Sequence, residues 1–243
     1  MKALAVDSTT SCISFAARSG DKTALLSLDI GMHQSEKILE GIQYVLAQCS
    51  LRAEELDYTA LCAGPGTFTG LRLAFSALKA FNLAYGIPVY GIHTLEAAAY
   101  PYRQWQGAVV PALDAKKNSF YAAVYRSGVL QAGPFDESTE NILNHIDREE
   151  NMLITGSDAF YFAEQVHALR PEQKISIFSP LGENSGIGTT CIGMQSPVVL
   201  ALLEIAEKKF IHKESALEEY EGPIYIRKSE AELSLLQKTG QNA

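Results

Sequence analysis

The sequence predicts an α/β protein of two related lobes, each a mixed sheet covered by helices. Three observations carry this expectation. The first hundred residues read as three meandering strands followed by helix, strand, helix and strand. A strand that ends in Asp and turns straight back occurs twice, at Asp7 and at Asp114. A chain of 243 residues, 47% hydrophobic and 20% charged, suits one or two domains with sizeable cores and is too apolar for disorder.

The elements follow in order. Residues 3–6 are apolar and end at Asp7, residues 11–18 alternate with Ile13, Phe15 and Ala17 on one face, and residues 23–28 read as a third strand. The short polar links between them suit hairpins. A helix is expected over about 34–48, where Ile38, Leu39, Ile42, Val45 and Leu46 keep a helical rhythm. A strand over 58–63 leads through Gly64-Pro65-Gly66-Thr67-Phe68-Thr69-Gly70 into a helix over about 71–85. Gly86-Ile87-Pro88 ends that helix, and 89–92 is a short strand.

The second half begins alike: a strand over 108–113, Asp114, a polar turn, and a strand over 119–125. Further on come a helix near 138–148, a strand at 152–155, a helix at 159–169, a strand near 175–178, a glycine-rich loop over 181–193 and a helix over about 197–210. The boundaries expected are 1–102 for the first lobe, 103–212 for a smaller second lobe, and 213–243 for a C-terminal segment packing back on the lobes.

Lys and Arg number 20 against 28 Asp and Glu, a formal net charge of −8. Bulk charge therefore does not grip nucleic acid, and an RNA role needs a local basic patch or a basic partner. The start is too short and too early interrupted for a signal peptide, and no apolar run approaches a membrane span. Cys12, Cys49, Cys62 and Cys191 form no C-x-x-C pair, and free thiols in a cytoplasmic protein are expected.

Few motifs carry chemistry. A strand that ends in Asp and turns back can set a carboxylate and backbone N–H groups around a phosphate and its metal, although an Asp also simply caps its own turn. Two such turns, one per lobe, can face each other across a cleft. The turn 64–70 sits where a helix N-terminus can hold an anion, but it fits neither the P-loop nor the dinucleotide template. The alternative is structural, with Gly64, Gly66 and Gly70 giving the backbone room.

The helix after this turn is apolar on two sides. Leu71, Phe75 and Leu78, widened by Ala74 and Phe81, line one, and Leu73, Ala77, Ala80 and Ala84 line the other. The second side suits another helix, from this chain or from a partner. His33, His93, His145, His167 and His212 form no metal-binding pair, and there is no G-x-S-x-G elbow.

Leu4-Ala5-Val6-Asp7-Ser8-Thr9, the 64–72 run, Gly91-Ile92-His93-Thr94-Leu95-Glu96-Ala97, Leu113-Asp114-Ala115-Lys116-Lys117 and Pro223-Ile224-Tyr225-Ile226-Arg227 together resemble the TsaB (YeaZ) family, in order and spacing. The resemblance implies an actin-like ATPase (ASKHA) fold of two RNase-H-like lobes, each with a mixed five-stranded sheet flanked by helices. It implies a non-catalytic scaffold subunit in the synthesis of N6-threonylcarbamoyladenosine beside the anticodon of tRNAs. Such a subunit pairs with the catalytic paralogue TsaD and is joined by the ATPase TsaE. It self-pairs as a homodimer when alone, meets tRNA through the complex, and touches no membrane.

No cofactor is required by this chain itself, with ATP and Mg2+ entering at the level of the complex. Asp7, Ser8, Asp114 and Lys116 would line a weak or vestigial nucleotide cleft. The family pairs through its first-lobe helices, which assigns a partner interface to Ile38, Leu39, Ile42, Val45, Leu71, Phe75, Leu78 and Phe81. Thr94 and Ala98 stand where TsaD has its two metal-binding His.

The chain departs from the family's pattern in three places. His33 comes one residue early, Lys116 and Lys117 replace the frequent Arg or Met, and Gly186-Ile187-Gly188-Thr189-Thr190 is the nearest candidate for an adenosine loop. The main rival function is an independent ATPase or small-molecule kinase using the same cleft. A metallopeptidase comes third, lacking ligands.

Overall fold

In the computed structural model, residues 1–177, 190–191 and 197–226 are described. Strands β1 (Lys2–Asp7), β2 (Cys12–Ser19) and β3 (Lys22–Asp29) form the antiparallel meander, and β4 (Tyr58–Gly64) and β5 (Val89–His93) join in parallel, in the order β3-β2-β1-β4-β5. Val6 pairs with Phe15 on one side and Leu61 on the other, so β1 is the central strand. Both of its faces are covered, which is why β1 and β4 read as nearly unbroken apolar runs.

The two faces differ in side-chain size. Leu4, Val6, Ile13, Phe15 and Leu61 point under helices α1 (Gln34–Gln48) and α2 (Phe68–Tyr85). The opposite face carries Ala3, Ala5, Ala16, Ala60 and Cys62. Small side chains let a covering helix approach closely, and α6 (Val198–Ile211) lies there through Val199, Leu202, Leu203, Ile205 and Ala206. The Tyr58 hydroxyl donates to the Leu203 carbonyl at 3.1 Å and pins this contact. The sequence order had placed this helix in the second lobe; its side chains pack on the first sheet.

The second sheet repeats the first. Strands β6 (Ala108–Asp114), β7 (Phe120–Arg126) and β8 (Val129–Glu137) form a meander, and β9 (Met152–Thr155) and β10 (Ile175–Ile177) extend it in parallel. The order β8-β7-β6-β9-β10 matches that of the first sheet strand for strand. A sixth, two-residue strand, β11 (Thr190–Cys191), adds a parallel edge pairing. The five strands expected per lobe are present in both, in the same order, as the two-lobed mixed-sheet architecture requires.

Strand β8 is an addition to the elements the sequence pattern predicts, because Gly133-Pro134 interrupts its alternation; there the register shifts between Ala122 and Val124. The expected helix near 138–148 is shorter: α4 (Thr139–Leu143) is capped by Ser138, whose hydroxyl accepts from the Asn141 amide. Helix α5 (Ala159–Leu169) covers the second core through Phe162, Ala163 and Val166, and the short α3 (Thr94–Ala99) sits between the lobes.

The expected partner interface needs correction. Ile38, Ile42, Val45, Leu71, Phe75 and Leu78 are each at most 5% exposed, and all but Leu71 belong to the core beneath α1 and α2. Phe81 is partly buried against the same core. Only Leu39 faces outward, 64% exposed. A helical stripe on a sheet-covering helix faces its own sheet first, so the apolar rhythm marked the intramolecular side.

The C-terminal segment, as far as it is described, packs on the first lobe. The Leu217 amide donates to the Val89 carbonyl at 2.8 Å, the Ile224 amide to the Ala63 carbonyl at 2.7 Å, and Tyr225 stacks on Phe68. Residues 227–243, and with them Arg227, lie outside the described residues, as do Phe178, most of the 181–193 loop and the adenosine-loop candidate from Gly186 to Thr189.

A cleft between two aspartate turns

The two Asp-ended strands place their turns on opposite walls of a cleft of about 740 Å³. Thr9, Thr10, Ser11, Cys12, Asp29, Gly66 and Thr67 come from the first lobe, and Leu113, Asp114, Ala115, Lys116, Tyr121, Ser157 and Asp158 from the second. Of the four residues expected to line it, Asp114 and Lys116 do. Asp7 and Ser8 lie behind the wall.

Asp7 closes its own turn: Oδ1 accepts from the Thr9 amide at 3.1 Å and from Thr9 Oγ1 at 2.7 Å. Burial pushes its carboxyl above the ordinary value, against the lowering effect of Thr9 and of the Cys62 thiol. Burial, with Asp7 beside it, raises Cys62 well above an ordinary thiol. A buried thiol raised in this way is a poor nucleophile.

Ser8 is 1% exposed, and its Oγ donates to the Gly70 carbonyl at 2.7 Å. Its role is to tie the first turn to the start of α2, which corrects the cleft-lining expectation. That bond takes up the hydroxyl beneath the turn, away from the cleft.

On the facing wall Asp114 Oδ1 accepts from the Lys116 amide at 2.7 Å, and Oδ2 from Lys116 Nζ at 2.6 Å. The hydrogen bond from Lys116 holds the Asp114 carboxyl below its usual range, and Asp114 raises the Lys116 ammonium in turn. Lys116 is 80% exposed, so this pair contributes little stability and can open for an anion. Lys116, Lys117 and Asn118 all take left-handed backbone, with φ of 63°, 55° and 63°. That costs conformational energy at three successive non-glycine residues and fixes the direction of the Lys116 side chain.

Asp158 completes the wall: Oδ2 accepts from the Asp114 amide at 3.0 Å and from Ser157 Oγ at 2.6 Å. Ser157 and Asp158 were not singled out from the sequence. The signal was present, since Gly156-Ser157-Asp158 follows β9 as the glycine-rich turn follows β4.

That glycine-rich turn is built for close approach of backbone. Gly64 has φ of 128°, and a Cβ there would strike the Ile224 carbonyl. A Cβ on Gly66 would lie 2.7 Å from Thr9 Cβ, and one on Gly70 would collide with the Ser8 carbonyl oxygen. The Thr67 amide, at the head of α2, donates to the Thr9 carbonyl at 2.8 Å. This amide is thus occupied by the chain itself, and the glycines let three segments meet.

At the start of α3, Thr94 and Ala98 are 3% and 4% exposed. Neither side chain supplies an imidazole. Among the described residues no three His, Cys, Asp or Glu side chains gather as a metal-binding group.

A family model described as TsaD, tRNA N6-adenosine threonylcarbamoyltransferase, matches residues 30–232. The TsaB protein of Haemophilus influenzae is 30% identical over 232 residues, covering 92% of each chain. An uncharacterized Mycobacterium tuberculosis protein is 32% identical over 135 residues, or 54% of this chain and 62% of that one. An uncharacterized Mycobacterium leprae protein is 36% identical over 99 residues, 41% of this chain; the chain spans only 27% of its length. Among solved structures, an uncharacterized Pseudomonas aeruginosa protein with similarity to peptidase YeaZ superposes with a TM-score of 0.70 at 20% identity, covering 93% of this chain and 99% of that one. With a family model spanning most of its length and a TsaB relative aligned nearly end to end, the chain belongs to the TsaB (YeaZ) family.

Proposed function

We propose that this chain is the non-catalytic scaffold subunit of the complex that forms N6-threonylcarbamoyladenosine beside the anticodon of tRNAs. It pairs with a TsaD-type catalytic paralogue and is joined by a TsaE-type ATPase. The observation that carries this reading is the 30% identity, over 92% of each chain, with the Haemophilus influenzae protein named for tRNA threonylcarbamoyladenosine biosynthesis. The family resemblance supports this division of labour, since it sets Thr94 and Ala98 at the positions of the partner's metal ligands, and burial holds the Cys62 thiol well above an ordinary one.

The partner face is the outer side of α1 and α2, which lie side by side over the first sheet. Leu39 and Tyr44 on α1, and Ala80, Leu83 and Ala84 on α2, face outward; Leu83 is 87% exposed. Large apolar side chains this exposed on adjacent helices fit a second pair of helices, from the paralogue or, in the free protein, from another copy. tRNA then meets the complex and not this acidic chain alone. We place its work in the cytoplasm, with the tRNA; no helix among the described residues is long and apolar enough to cross a membrane.

The rival reading, an ATPase or kinase acting alone, draws on the cleft with its Lys116–Asp114 pair. Titration of the isolated chain with ATP and Mg2+ separates the two. Saturable binding abolished by Asp114→Ala favours the rival. Size-exclusion chromatography with a purified TsaD-type protein tests the scaffold reading: co-elution of the native chain and its loss in Leu83→Glu support it, and absence of any association overturns it.

A further inference from the structure

We propose that residues 214–225 form a releasable strap, latched by the Lys79 ammonium, that closes the free edge of β5 and the cavity beside it. β5 is the outermost strand of the first sheet at this end, so its outer backbone groups need cover. The strap supplies that cover at isolated points. The Leu217 amide donates to the Val89 carbonyl at 2.8 Å, and the Leu217 side chain sits against Gly91, 3.0 Å from where a Cβ would lie. At the far end the Ile224 amide donates to the Ala63 carbonyl at 2.7 Å. Tyr225 then stacks on Phe68 at 5.4 Å, and its hydroxyl accepts from Arg72 Nε at 3.2 Å.

Between these anchors the strap arches over a cavity of about 430 Å³ lined by Lys79, Asn82, Leu83, Val89, Leu217 and Glu218. One side chain holds the arch. Lys79 Nζ donates to the carbonyls of Glu218, at 3.0 Å, Glu219, at 2.6 Å, and Glu221. An ammonium has three donors, and all three are matched by strap carbonyls. The Glu218 amide closes the turn on Glu221 Oε2 at 3.1 Å.

This design makes the strap separable from the fold. Glu218, Glu219, Tyr220 and Glu221 are exposed, Tyr220 by 93%, so carbonyls freed from Lys79 return to water at low cost. Leu217 packs at the margin of the core beneath α2, so lifting the arch gives up that one contact and leaves the buried residues of the core in place. Opening exposes the β5 edge, the Leu217 seat and the cavity together, as a local unit of low stability.

The test uses Lys79→Met, which keeps the stem and removes the donors, and Lys79→Arg, which keeps several. A glutamate-specific protease cuts within the strap at Glu218, Glu219 and Glu221. We expect Lys79→Met to raise the strap cleavage rate, and the exchange rates of the Leu217 and Ile224 amides, by about tenfold or more, the ratio a lost charged hydrogen bond corresponds to. Lys79→Arg should stay near the native rate. The melting temperature of Lys79→Met should move by only about 2–4 °C or less. Unchanged strap cleavage in Lys79→Met, or cleavage that occurs only as the whole chain unfolds, overturns the proposal.

Discussion

Gly70→Ala isolates the close approach on which the glycine-rich turn depends. Gly70 lies inside α2, where its backbone is helical and alanine would ordinarily stabilise by about 1 kcal/mol. In this fold the added Cβ collides with the Ser8 carbonyl oxygen and comes within 2.6 Å of Thr67 Oγ1 and 3.0 Å of the Ser8 carbonyl carbon. The obstacle is mostly backbone and cannot swing aside. Relieving it separates the β1–β2 turn from the head of α2 and breaks the Ser8–Gly70 hydrogen bond of 2.7 Å.

Overpacking of this kind costs about 1–3 kcal/mol. The lost hydrogen bond adds about 1 kcal/mol. Against the helix gain, the net is about 1–3 kcal/mol, or a melting temperature lower by roughly 2–12 °C for a chain of this size. Ser8→Ala is the control, since it removes the bond without the collision and should cost about 1 kcal/mol. Thermal and urea unfolding of the full chain give both values. A Gly70→Ala protein as stable as the native one, or more so, would refute the reasoning.

Other outcomes follow from the same geometry. Phe75→Glu puts a carboxylate where the native ring is 5% exposed and should cost about 3 kcal/mol or more, whereas Leu83→Glu should stay within about 0.5 kcal/mol while losing partner association; equal stability of the two by urea unfolding contradicts the assignment of faces. Asp7 binds its proton more tightly folded than unfolded, because burial raises its pKa above 3.8. Its contribution to stability is present below pH 3.8 and is lost as pH rises through the folded value. Asp7→Asn should remove that loss, and urea midpoints of both proteins between about pH 3 and pH 7 that differ by a constant amount count against burial as the cause. Tyr58→Phe deletes the 3.1 Å bond to the Leu203 carbonyl and should cost about 1 kcal/mol, with faster amide exchange in α6 as the local sign.

The sheet order was legible where side-chain period and turn residues agreed. β1, β2 and β4 show it, as does the repeat that makes Asp114 the counterpart of Asp7. β8 escaped because Gly133-Pro134 breaks its alternation, and α2 starts at Phe68, a turn earlier than expected, because helix propensity is low through Thr67 to Gly70. The destination of α6 was not legible, since an apolar helix face does not name the sheet it will cover. The partner face was misread for a related reason. Ile42, Val45, Phe75 and Leu78 keep the period because they meet their own sheet, and an outward apolar residue such as Leu83 shows only as an interruption among polar ones. In the cleft, the two Asp turns were visible from local pattern, whereas Asp158 and the inward turn of Ser8 depend on contacts between distant segments.

The scaffold role is decided by threonylcarbamoyl transfer to tRNA by a purified TsaD-type enzyme and TsaE-type ATPase, with the adenylate donor and ATP, with and without this chain. Sustained modification is expected only when the chain is present, none from the chain alone, and loss of the stimulation with Leu83→Glu. Equal transfer without the chain, or transfer by the chain by itself, would contradict that role.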